Sequence, residues 1–198
     1  MLPIWFIYIA AGMRIAGGLA YLASTIRGIA RPNPVSWLLW GVIPIIAFIA
    51  ELQANVGPIA YVTLALGVSP ILVFTATMIK NPQSFRLKGL NLLCALIAVL
   101  GLVLWASTNS PELAISFMLI ADFASGLPTI TKAWRDPKSE FAPSYLVSAS
   151  AMILALLTVT DWRFAVIAFP VYILAINLLI FSIAMRRPRK KSRGKKKR

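Results

Sequence analysis

The sequence contains no histidine, one cysteine and only six acidic residues among 198. The missing histidine removes the side chain that titrates near neutrality and the commonest metal ligand. The lone Cys94 excludes an intrachain disulfide, and its apolar surroundings leave the redox compartment unreadable. There is no acidic metal cluster, no cysteine pair and no glycine-rich phosphate loop. Nothing therefore calls for an enzyme, a metal or a cofactor. A retinal protein would need a lysine in the last apolar run, and none is there. Charge is scarce overall: 13% of residues are charged, about half the share in soluble domains.

What is present is apolar surface. Hydrophobic residues make up 59% of the chain and the mean hydropathy is +0.80. A soluble domain of this size cannot bury that much, so the lipid bilayer is the expected solvent and partner. A spanning helix needs roughly 20 apolar residues. Runs bounded by Pro, Gly, Asn or charge predict seven helices near residues 3–26, 35–52, 57–79, 88–107, 112–134, 143–160 and 164–186. Runs this long are not barrel strands. The first run has no basic segment before it and no clear cleavage site, which makes it a span rather than a signal peptide.

The net charge of +14 is local. Ten of the twenty Lys and Arg lie in residues 186–198, directly after the last apolar run. A basic segment there reads as a disordered topology anchor that attracts anionic lipid headgroups, in preference to a nucleic-acid arm. Arg27, Arg31, Lys80, Arg86, Lys88, Lys132, Arg135 and Lys138 fall in alternate loops on the tail's side. The other loops hold Glu51, Glu112, Asp161 and a single cation, Arg163. The positive-inside rule then places a cell-membrane protein with its C-terminus in the cytoplasm and its N-terminus outside.

The chain also repeats. "RPNPVSWLLWGVIPIIAFIAE" and "DPKSEFAPSYLVSASAMILALLT" share an order: charge, prolines, Ser, an aromatic, Leu and an apolar run. Ser36, Leu38, Ile45 and Ala47 align with Ser144, Leu146, Ile153 and Ala155, and Trp37 aligns with Tyr145. The expected fold is all-α and transmembrane. Residues 1–79 form a first three-helix repeat, 80–110 a linker helix, 111–186 a second repeat and 187–198 the basic tail. One inserted helix between two odd-numbered bundles makes the repeats parallel.

This three-one-three pattern resembles the SWEET sugar transporters and the wider PQ-loop superfamily, over most of the chain. "GLPTITKAWRDPKSEFAPSYLVSASAMILALL" is similar to that family's second repeat. Pro128-Thr129 stands where the family has Pro-Gln or Pro-Thr, and Pro143 stands where a second proline opens the next helix. Pro34 matches the latter in the first copy, but Ala23 replaces the first proline and Thr129 replaces the Gln. The resemblance implies a carrier for a small polar solute, with a sugar as the family's example. Its prolines act as hinges, and Asn177 matches an Asn that lines the cavity. The rival is a receptor or assembly protein on the same scaffold. The oligomeric state is not legible.

Polar residues within the runs supply the candidate site. Arg14 and Asp122 fall at similar depth in runs one and five, and each unpaired charge would cost roughly 2.5–3.5 kcal/mol in the bilayer. An ion pair is the expectation, either structural or part of a substrate or proton site, the alternative being two separate water-exposed charges. Trp40 and Ser148 are repeat mates and are expected to face each other as an aromatic platform and a hydroxyl. Asn177 and Ser69 are expected higher in the same cleft. Pro34, Pro44, Pro128 and Pro143 are candidate gates or hinges. The bland alternatives are an interfacial belt for the Trp and interhelical glue for Asn177.

Overall fold

A computed structural model of the chain describes residues 2–53, 57–58, 60–108 and 110–186. Among them are seven α-helices and no strand: α1 (Phe6–Ile26), α2 (Pro34–Gln53), α3 (Ala60–Lys80), α4 (Leu90–Ser107), α5 (Pro111–Arg135), α6 (Ala142–Leu156) and α7 (Phe164–Ala184). The basic tail expected at 187–198 lies outside the described residues.

Each helix follows one apolar run, and local chemistry sets its ends. Gly28, at φ +76°, takes the left-handed turn that carries the chain out of α1. α2 begins at Pro34, with Asn33 Oδ1 accepting from the Val35 and Ser36 amides. At the start of α5, Pro111 is the first helical residue and Ser110 Oγ accepts from the Leu113 amide. The largest departure from the expected boundaries is at the end of α6. α6 stops at Leu156 rather than near 160. The Thr158 hydroxyl donates to the Ala155 carbonyl there, 2.7 Å away, and takes up a helix-terminal acceptor.

Four helices, α1, α3, α4 and α7, are long and apolar enough to cross a membrane. Shorter apolar stretches are Pro34–Ile49 in α2 and Ala142–Leu156 in α6. α5 is the longest helix but carries Glu112, Asp122, Lys132 and Arg135. Outward faces are oily: on α4, Leu93, Leu96, Leu100 and Val103 are all more than half exposed. Such a contiguous apolar surface suits lipid better than water.

α1 packs on α3 and α6, α2 on α3 and α5, α7 on α5 and α6, and α4 chiefly on α5. Small residues permit the close approaches. A Cβ at Gly18 would stand 2.2 Å from the Ser69 Cβ, and one at Gly101 only 2.9 Å from the Phe117 carbonyl oxygen. Lipid supplies no hydrophobic drive between helices, so such close van der Waals packing holds them together.

The basic loops meet at one end of the bundle. Lys80 Nζ donates to the Ile26 carbonyl, Lys132 Nζ to the Arg31 carbonyl, and Asn33 Nδ2 to Asn91 Oδ1 at 3.1 Å. Arg186, just past α7, stacks 3.8 Å over the Trp134 ring at the end of α5. At the opposite end the Leu2 amide donates to the Leu157 carbonyl.

Candidate functional site

A small cavity lies inside the bundle. It is lined from six helices: α1 gives Arg14, α2 Trp37 and Trp40, α3 Leu66 and Pro70, α5 Asp122, α6 Ser144 and Tyr145, and α7 Ile173 and Asn177. α4 contributes nothing to the lining. The volume open to water is about 40 Å³, room for roughly three waters at 10–15 Å³ each.

Asp122 is the most deeply placed charge. It is 1% exposed, and its Oδ2 accepts from the Tyr172 hydroxyl at 2.7 Å. Its Oδ1 has no partner. Arg14 lines the same cavity, and its Nε is also buried without a partner. The direct ion pair expected between them is absent. Among the described residues the salt bridges are Arg31–Asp136, Lys132–Glu140 and Arg163–Asp161. Equal depth brings the two charges to one cavity but does not bring them into contact, because Asp122 turns one oxygen toward α7.

Trp40 donates its Nε1–H to the Asp122 backbone carbonyl at 3.3 Å. Its ring lies on Gly126, where a Cβ would approach Cζ2 to 2.9 Å. The indole therefore sits against α5, not opposite Ser148. Ser148 is 1% exposed with its Oγ unpartnered, and it is not among the cavity residues. Ser69 is likewise outside the lining; it is buried against Gly18 at the α1–α3 contact. Asn177 does line the cavity, and its Nδ2 donates to the Ile173 carbonyl one turn back at 2.7 Å.

The prolines divide in the same way. Pro44 lines the cavity from within α2. Pro128 is buried inside α5, away from it. Pro34 is the buried first residue of α2, whereas Pro143 is exposed in the first turn of α6. An internal proline lacks the N–H for its i−4 carbonyl, so each of α2, α3, α5 and α7 has one weakened turn.

Between the cavity and the basic end lies a closed layer that sequence reasoning missed. Tyr21 of α1 stacks on Trp37 with ring centres 4.2 Å apart and meets Tyr145 edge-on at 5.9 Å. Both phenols donate to Glu140 Oε2, Tyr21 at 2.6 Å and Tyr145 at 2.7 Å. Lys132 Nζ stands 2.6 Å from the other oxygen, a charge contact rather than an aligned hydrogen bond. The Glu140 side chain is fully buried. Its position just before α6, with Tyr145 one and a half turns on, was the available signal. The partner Tyr21, 119 residues away, was not.

No family model, curated protein or solved structure matches the chain.

Proposed function

We propose that this protein is a multi-pass membrane carrier that moves a small polar solute by alternating access between two parallel three-helix bundles. α1–α3 form one bundle, α5–α7 the other, and α4 is the linker. The observation that carries this reading is the cavity. It draws side chains from all six bundle helices and none from the linker. The packing supports the repeat: exchanging α1, α2 and α3 for α5, α6 and α7 turns the α1–α6 contact into α5–α2, and both occur. The α2–α3 and α6–α7 contacts exchange in the same way, as do α1–α3 and α5–α7. That pattern is what a two-fold axis along the membrane normal produces, and it agrees with the SWEET and PQ-loop resemblance.

In this reading the cavity is the solute site, with Trp40, Asp122 and Asn177 on its walls. The Tyr21–Trp37–Tyr145 layer and Glu140 close the basic end. Pro34 and Pro143 open the two helices that border that end, and Pro44 and Pro70 weaken the helices facing the cavity, so that the bundles can rock. The basic end faces the cytoplasm, with the basic segment beyond residue 186 against anionic lipid.

Proteoliposome uptake over a panel of sugars, amino acids and small acids tests the reading. Asn177→Ala and Trp40→Ala should weaken uptake of the transported solute while the protein stays folded. A panel with no transported solute would favour a receptor or assembly protein on the same scaffold. Orientation has its own test: a cysteine at Trp162 should label from outside intact cells and one at Ser84 should not.

A further inference from the structure

The cavity is lined by one cation and one anion that make no direct ion pair. Among the described residues, Arg14 and Asp122 are the charged ones that line it, and no salt bridge joins them. Each keeps a buried polar atom without a partner, Nε of Arg14 and Oδ1 of Asp122. Trp37 adds a third, its Nε1–H. Buried polar atoms are nearly always hydrogen-bonded, and a buried charge without partners costs several kcal/mol. Two donors and one acceptor on residues that line one small void are thus unpaired, which suits a ligand that accepts at one end and donates at the other.

We infer that this cavity binds a small zwitterion, a molecule with a carboxylate and an ammonium group close together, of which the small neutral α-amino acids are the simplest class. The carboxylate would accept from Arg14 and Trp37, and the ammonium would donate to Asp122 Oδ1. Charge-assisted hydrogen bonds are the strong kind, and both would form at once. The competing classes each leave something unmet. A simple anion leaves Asp122 open, and a simple cation leaves Arg14 open. A neutral polyol brings hydrogen bonds but no charge to either.

Size points the same way. About 40 Å³, roughly three waters, matches two charged groups and a short side chain more closely than a hexose. Leu66, Ile173 and Ile176 complete the wall and would meet that side chain.

This inference rests on the reading of the cavity as the solute site, and one ligand series separates the two. The full chain in detergent or nanodiscs is titrated with glycine, L-alanine, propionate, ethylamine and glucose. Tryptophan fluorescence gives one readout, since Trp37 and Trp40 line the site, and calorimetry the other. L-Alanine and glycine should bind, with propionate and ethylamine each at least about tenfold weaker and glucose weaker still. Arg14→Gln and Asp122→Asn should each lose at least about tenfold in L-alanine affinity. Trp37→Phe, which removes the N–H with the pyrrole half of the indole and leaves one ring to stack on Tyr21, should lose less. Should the charge variants fail to fold, the ligand series on the native chain and Trp37→Phe still decide. Binding and uptake of glucose with no response to L-alanine would overturn the zwitterion and leave the carrier intact. L-Alanine binding undiminished in Arg14→Gln and Asp122→Asn would overturn the assignment of the site. No binding and no uptake of any solute would overturn both.

Discussion

The two turns at the basic end follow one sequence template and are held in different ways. The helix cap of the α1–α2 turn is a neutral amide. Asn33 caps α2 and reaches Asn91 at the start of α4, whose own amide donates to the Arg86 carbonyl at 2.8 Å. The α5–α6 turn has no side-chain cap on its helix. Its anchor is Glu140, which gathers Tyr21 from α1, Lys132 from α5 and Tyr145 from α6. The first turn is thus tied to α4. The second gathers side chains from α1, α5 and α6. Two turns with the same order of residues in sequence are held by different side chains.

Glu140→Ala is the largest expected perturbation of that contrast. It leaves two buried phenols without their acceptor and Lys132 without its counter-charge. Breaking a buried pair costs about 3–5 kcal/mol. The Lys132 side chain is 26% exposed and can turn to water, so about 3 kcal/mol is expected from unfolding in detergent. Glu140→Gln keeps an acceptor for the phenols and should cost less. A Glu140→Ala variant as stable as the native chain would show that the second turn has no clamp.

Tyr21→Phe and Tyr145→Phe come next. Each removes one donor to a charged acceptor and leaves the ring stack, for about 1.5–3 kcal/mol apiece. Since both bonds end on Glu140 Oε2, their effects should not add. A double-mutant cycle reads the coupling, and strictly additive losses would mean that the two phenols act independently.

The sequence shows these helices better than it shows this clamp. Apolar runs bounded by Pro34, Gly57 and Gly89 are visible in one dimension, because each run must satisfy its own backbone. Depth is visible too, which is why Arg14, Asp122, Trp40 and Asn177 stood out, and all four line the cavity. What the sequence does not show is the direction in which a helix turns a side chain relative to five others. Ser69 and Ser148 have the right depth but face packing contacts rather than the void. Arg14 and Asp122 share a level but not a bond. Glu140 sits among Asp136, Lys138 and Arg135, where a charge normally reads as solvated. Only the arrival of Tyr21 from α1, 119 residues away, makes it a buried acceptor.

Asn33→Ala probes the first turn. It removes the cap of α2 and the bridge to Asn91 together. Loss of an Asn cap costs about 1 kcal/mol, and the partly buried amide bridge adds to that. Asn33→Ser separates the two, because serine can cap the helix but is too short to reach Asn91. Asn33→Ser should therefore recover the cap's share of the stability only. If Asn33→Ser behaves as Asn33→Ala, the bridge to α4 holds the turn and the cap does not.

The smallest effect is expected where the two turns touch directly. Arg31 Nη2 stands 2.6 Å from Asp136 Oδ2, and the two side chains are 66% and 47% exposed. The distance is as short as the Lys132–Glu140 contact, but water competes for both charges. Exposed pairs typically contribute about 0.2–1 kcal/mol, and salt screens them. Arg31→Ala and Asp136→Asn should each shift stability by less than about 0.5 kcal/mol, and raising the salt concentration should erase the difference. The backbone bond beside them, from the Arg31 amide to the Ser139 carbonyl at 2.9 Å, survives either change and keeps the turns together. If Arg31→Ala instead destabilises as much as Glu140→Ala, then exposure is not what separates the two contacts, and the pair belongs to the same clamp.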